Sequence, residues 1–221
     1  MKKKSVYKLL LEFVLIFSAV TLSFIAEDYR QNSQLRDLER ATLKGILTDL
    51  EYDQDQLKTI LYFDSLKLAT TEELNGVLSS DDPDKENVEY VVSEFFGGTT
   101  FNLTNSHYES LSSSGMLKEI TSEDLRNQLI NYYDSFGSHL KSVSELYQSE
   151  YFNFMHSLDK LGVFRGVEFN VRDHQVLVND IEWKGKLSRV YTFTQMFNPQ
   201  YERMLEFNRS LYEKISKELE S

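Results

Sequence analysis

The stretch from Leu9 to Ala26 holds eighteen residues and a single charge, Glu12, and the rest of the chain has to fold around that constraint. As a helix rising 1.5 Å per residue it reaches about 27 Å, close to the roughly 30 Å hydrocarbon core of a bilayer. Lys2, Lys3, Lys4 and Lys8 come before it, and Glu27 and Asp28 follow it. Basic flanks stay on the cytoplasmic side. The segment therefore predicts a cytoplasmic N-terminus over residues 1–8, a transmembrane helix over 9–26, and an extracytoplasmic domain over 27–221. A bacterial inner membrane, crossed once, is the location this implies. Cleaved signal peptides begin the same way but end on small residues. Here the run closes on Ser23-Phe24-Ile25-Ala26, with a bulky Phe near its end, so an uncleaved anchor is expected and cleavage near Ser23 is the alternative.

Glu12 carries two readings. One turn into the span, it lies four residues after Lys8 and can reach the interface as a paired or snorkelling carboxylate. An intramembrane acid can also contact a partner helix or a proton path.

The remainder is built to bury surface. Fifteen Phe and thirteen Tyr are too many for a disordered tail, and only two Pro and nine Gly punctuate the chain. Long helices are favoured over a sheet with many turns. From Glu27 onward the formal charge is −14, which repels nucleic-acid phosphate and anionic lipid, so no nucleic-acid partner is expected. Without cysteine there is no disulfide, thiol catalysis or thiolate metal site.

From Leu35 to Leu68 apolar residues recur mostly at three- and four-residue steps, and no proline separates this stretch from the apolar run. The anchor can thus continue directly into an amphipathic helix. Polar residues from Glu51 to Gln56 interrupt the stripe, which disfavours a long two-stranded coiled coil. Ser79 to Asp84 reads as a break, and a short helix is predicted over Asn87–Phe96, ended by Gly97-Gly98. A further short helix through Tyr108 and Leu111 should stop at Gly115, a structural turn with left-handed backbone. Thr121-Ser122-Glu123-Asp124 then offers a cap for the main helix, whose stripe runs from Leu125 through Tyr132, Phe136, Tyr147 and Phe154 to Leu161. Val167, Phe169 and Val171 alternate with polar residues, so a small hairpin near 167–178 is one option and a loop the other. Helical spacing returns from Asp180, and Asn198-Pro199 fits a kink or a new first turn. The fold class expected is all-α in the main: an N-terminal transmembrane helix continuing into, or followed by, an elongated helical bundle.

Several of these features occur together elsewhere. Glu12 at the start of the span, the charged helix from Arg36 to Glu51, the run Tyr108-Glu109-Ser110-Leu111-Ser112-Ser113-Ser114-Gly115-Met116-Leu117-Lys118-Glu119-Ile120, Leu125-Arg126 and the Tyr132-Tyr133 pair are the elements concerned. In this order the chain resembles an uncharacterised family of membrane-anchored proteins widespread in the Bacteroidota, known as a domain of unknown function. That family usually carries an Asn-Trp-rich exit from the span, where this chain has Glu27-Asp28-Tyr29-Arg30. The resemblance implies an anchor and a helical domain and no activity.

No catalytic or metal constellation stands out, so neither an enzyme nor a cofactor is expected. His107, His139, His156 and His174 form no ligand-spaced pair and read as structural or surface histidines. Ser112-Ser113-Ser114-Gly115 lacks a strand, elbow and base, and reads as a helix-ending turn. Asp53 with Asp55, and Asp81, Asp82 and Asp84, lack a calcium loop and read as solvated acidic surface. Tyr132, Tyr133, Tyr147 and Tyr151 read first as core and second as an aromatic partner surface. Asn102-Leu103-Thr104 and Asn208-Arg209-Ser210 match glycosylation acceptors, a pattern common by chance. The functional expectation is an interaction or scaffold module of the bacterial envelope. Its partners would be the lipid bilayer and either another envelope protein or copies of itself. The alternative is a ligand-sensing domain signalling through a partner.

Overall fold

A computed structural model describes residues 2–79, 85–94, 100–158, 162–165, 168–171 and 179–220. The expected continuity is found: α1 runs unbroken over Lys2–Leu78, 77 residues or about 115 Å of helix. Its apolar N-terminal window has none of its residues buried by the rest of the chain and is long and apolar enough to cross a membrane. Beyond Leu43 the same helix becomes a core element, with Leu43, Ile46, Leu50, Leu57, Ile60 and Leu74 all buried.

Two further long elements pack on this distal half. Glu123–Ile130 (α4), a π-helical segment Asn131–Gly137 and Ser138–Leu158 (α5) follow one another directly. The last helix, α6, spans Ile181–Glu220. Tyr132 bonds Asp53 and Tyr147 bonds Asp64, so α4–α5 runs parallel to α1. Tyr191 bonds Glu72 and Tyr212 bonds Glu51, so α6 runs antiparallel and returns toward the apolar end. The result is an elongated three-helix bundle. Its seam is lined by Tyr132, Tyr201, Phe154, Trp183, Leu187 and Leu211.

Shorter elements occupy the connection between α1 and α4. Helix α2, Lys85–Glu94, overlaps the helix predicted over 87–96 and begins two residues earlier, while Gly97-Gly98 lies outside the described residues. Helix α3 spans Ser106–Ser113, and Gly115 after it has φ 75°, the left-handed turn read from the sequence. A 3₁₀ turn, Met116–Glu119, leads to α4, where the Ser122 side chain accepts the Leu125 N–H as N-cap and Glu123 and Asp124 fill the first turn. Because nothing lies within 4 Å of a Cβ built on Gly115, a substitution there meets only backbone strain. Gly115→Val is expected to cost about 1–2 kcal/mol, and Gly115→Asn less, since asparagine tolerates this region. Ser113, whose hydroxyl donates to the Ser110 carbonyl on an exposed turn, should be replaceable by alanine with little effect. Urea unfolding, followed by the emission of the single tryptophan, measures all three.

Two expectations need correction. The hairpin pairs β1, Gly162–Arg165, with β2, Glu168–Val171, in antiparallel register. The strand carrying Phe169 and Val171 therefore pairs with the segment before it rather than with one after it, and Val167 lies outside the described residues. Val176 and Val178 lie outside the described residues. Of the two readings of Asn198-Pro199, a new first turn is overturned and a position within a continuing helix is what is found, for Pro199 sits inside α6.

Candidate functional site

The polar stretch that interrupts the α1 stripe is where the chain folds back on itself. Gln56, Asp53, Asp49 and Glu39, successive along α1 toward its apolar end, accept backbone N–H groups from a strap running down beside them. Asn102 N–H donates to Gln56 Oε1 at 3.2 Å, Thr104 N–H to Asp53 Oδ1 at 3.0 Å, His107 N–H to Asp49 Oδ2 at 3.2 Å and Thr121 N–H to Glu39 Oε1 at 3.3 Å. At the top, Phe101 N–H donates to Ser144 Oγ of α5 at 2.8 Å. These N–H groups have no ladder or helix partner of their own, so α1 side chains complete them. Asp49 also places its charge at the N-terminus of α3, where the free N–H groups favour an anion.

His107 lies against this site. Its Nδ1 is 2.9 Å from Asp49 Oδ1, and its ring occupies the space above Gly45, where a Cβ would fall 2.2 Å from the ring. Glycine at 45 is what admits the imidazole.

Asp53 is the centre of the first buried cluster. It is 0% exposed, contrary to its reading as solvated surface. Tyr132 donates to it at 3.0 Å, and Asn208 of α6 donates to Tyr132 Oη at 2.7 Å and to the Leu50 carbonyl at 3.1 Å. Burial pushes the Asp53 carboxyl up to about 6. The Thr104 and Tyr132 bonds oppose this, and Asp49 adds to it. Buried Asn208 also cannot serve as a glycosylation acceptor in the folded chain.

The π-helical segment carries two consecutive tyrosines into the core. Tyr132 points to Asp53, while Tyr133 stacks on Tyr108 with centroids 4.4 Å apart, and Tyr108 donates to Asp134 at 2.7 Å. Gly137 ends the segment beneath Leu103 of the strap.

A second cluster lies further along the bundle. Lys67 Nζ donates to Tyr147 Oη at 3.0 Å and to Asp64 Oδ1 at 3.4 Å, and Tyr147 Oη is 2.9 Å from Thr194 Oγ1 of α6. The ammonium also sits 5.0 Å and 4.7 Å from the ring centres of Tyr147 and Tyr151. Burial pushes Asp64 up and Lys67 down, each partly offset by the charge of the other. Asp64 Oδ2 has no hydrogen-bond partner among the described residues. A cavity of about 330 Å³ opens over Lys67, between the strap and α5.

Among the residues singled out from sequence, Glu12 is exposed on α1, and Gly115 forms its turn. They are far apart in sequence and in different parts of the fold, and belong to neither cluster. Tyr132, Tyr133 and Tyr147 are core, as first read. His139 and His156 are exposed, whereas His174 and Asp81, Asp82 and Asp84 lie outside the described residues. No group of three or more His, Cys, Asp or Glu side chains placed to hold a metal ion occurs among the described residues. Asp49, Asp64, Lys67 and Asn208 gave no sequence signal as partners, because each is matched with residues dozens of positions away.

Comparison of the chain with protein-family models, with curated proteins and with solved structures finds no match.

Proposed function

We propose that this protein is a membrane-anchored helical scaffold of the bacterial envelope, crossing the inner membrane once with its N-terminus in the cytoplasm. The observation that carries the reading is the unbroken α1, which is both the apolar segment and the central core helix of the bundle. A helix shared in this way holds the domain at a fixed height and facing. The resemblance to anchored Bacteroidota proteins supports the same reading.

The docking face lies on the exposed length of α1. Leu35, Leu38, Thr42, Ile46 and Leu50 form one stripe at three- and four-residue steps, and the bundle covers only its distal end. Ile46 and Leu50 are 0% exposed, while Leu35 and Leu38 remain 39% and 48% exposed. That uncovered stretch suits a partner helix lying along α1, and a second copy is the first partner to test. A sensing role is the second reading, favoured by Lys67 and Asp64, which place a cavity against the helix that enters the membrane.

The cysteine-free chain makes the test direct. Alkaline extraction should leave the protein in the membrane fraction. A cysteine in place of Lys4 should resist an impermeant maleimide in cells with a permeabilised outer membrane, and one in place of exposed Tyr52 should react. Leu38→Cys should form a disulfide-linked dimer if a second copy binds. Release by alkali, or the reverse labelling pattern, would defeat the anchor and its orientation respectively.

A further inference from the structure

We infer that the cavity over Lys67 is a binding site for a small neutral polyhydroxyl ligand, a single sugar ring in size, and this stands independently of the scaffold reading. Its volume of about 330 Å³ lies at the lower end of the range for small-molecule sites, about 300–1,000 Å³.

The chemistry of the walls selects the ligand. The floor is an ammonium group on a side chain only 5% exposed. Two of its donors go to Tyr147 and Asp64, and for the third the described residues offer ring faces, of Tyr147 and Tyr151, rather than an oxygen acceptor. An acceptor oxygen entering the cavity completes it. A cation is excluded by Lys67 itself. An anion would be desolvated beside the Asp64 carboxylate, and the domain that surrounds it carries −14. Neutral oxygen meets neither penalty.

The rest of the lining fits a ring with polar edges and an apolar face. Gln148 and Asn102 present amide groups, and Tyr151 and Phe152 present aromatic surface. Phe152 is 53% exposed, a large aromatic side chain left on the rim that the bundle does not need for its core. Carbon-bound hydrogens of a sugar stack on such rings while its hydroxyls bond the amides, so each part of the lining has a partner in one molecule. Because Tyr147 also bonds Thr194, occupancy of the site would touch α1, α5 and α6 together.

The test uses the full chain in lipid nanodiscs, free of sugar-headed detergent. Saturation-transfer NMR at millimolar ligand would screen glucose, galactose, mannose, N-acetylglucosamine and maltose, with acetate, benzoate and ethanolamine as charged controls. At least one neutral sugar should give transfer and the controls none. Phe152→Ala and Gln148→Ala, both at exposed positions, should each weaken binding about tenfold, a loss of about 1.4 kcal/mol, with the circular dichroism spectrum unchanged. Lys67→Met should abolish it. Should that variant fail to fold, the two exposed variants decide. Absence of transfer from every sugar overturns the proposal, as does binding that ignores both exposed variants or is confined to the charged controls.

Discussion

Replacing Asp53 by alanine is expected to destabilise the protein by on the order of 4 kcal/mol, because it strands two donors, at about 1–3 kcal/mol for each buried group left unsatisfied. The donors are the Thr104 N–H and the Tyr132 O–H. Asp53→Asn should cost much less, since its amide oxygen still accepts one of them, and it isolates the pH dependence. The folded carboxyl titrates near 6, above its ordinary 3.8, so the native state holds the proton more tightly than the unfolded chain does. The stability this group contributes is therefore fully present below about 3.8 and is lost as pH rises toward 6. The total is about 3 kcal/mol at 1.36 kcal/mol per unit. Wild type should thus lose stability relative to Asp53→Asn between pH 4 and 6 and run parallel to it above. Urea unfolding across that range reads both through Trp183, which is 1% exposed and the chain's single tryptophan. Parallel profiles throughout would mean that the carboxyl is not held up by burial.

The second large effect is expected at Gly137. A Cβ there would lie 2.6 Å from the Tyr132 carbonyl oxygen and 2.9 Å from a methyl of Leu103. The first contact is backbone and cannot swing aside, so Gly137→Ala should cost about 3 kcal/mol, the upper part of the usual range for overpacking. It should also loosen the strap, which packs on this point through Leu103. Gly76 and Gly185 sit in α1 and α6 with no described atom within 4 Å of such a Cβ. Alanine there should stabilise by up to about 1 kcal/mol, the helix-propensity difference. If all three alanine variants behave alike, the π-helical segment is not packed as described.

Much of this architecture could be read from residue spacing. The apolar run, its continuation into an amphipathic helix, the Ser122 cap and the left-handed Gly115 all depend on chemistry within a few positions of each other. The hairpin was half legible. Alternation marked Phe169 and Val171 as strand, but alternation alone does not say which neighbour a strand pairs with. Tyr133 shows another limit. It falls beside the stripe that carries Tyr132, and the π-helical turn that holds both in the core leaves no mark in residue spacing. The candidate sites were the least legible part. Asp53 and Lys67 look like surface residues until Tyr132, Asn208 and Tyr147 arrive from 79, 155 and 80 positions away. A polar gap in an otherwise regular stripe is the one available signal, and by itself it disfavours a coiled coil without marking a place where the chain returns.

The exposed length of α1 has a further consequence, one of pitch and phase. Each residue of a helix advances 1.5 Å and turns about 100°. One residue inserted between 27 and 38 would swing the whole bundle about a quarter turn around the axis of the apolar segment. Seven would return it to within about 20° of its original bearing while raising it by about 10 Å. Which way the uncovered leucines and the Lys67 cavity face, relative to anything fixed beside the apolar segment, is thus set by a residue count, as the bearing of a bolt head is set by its thread.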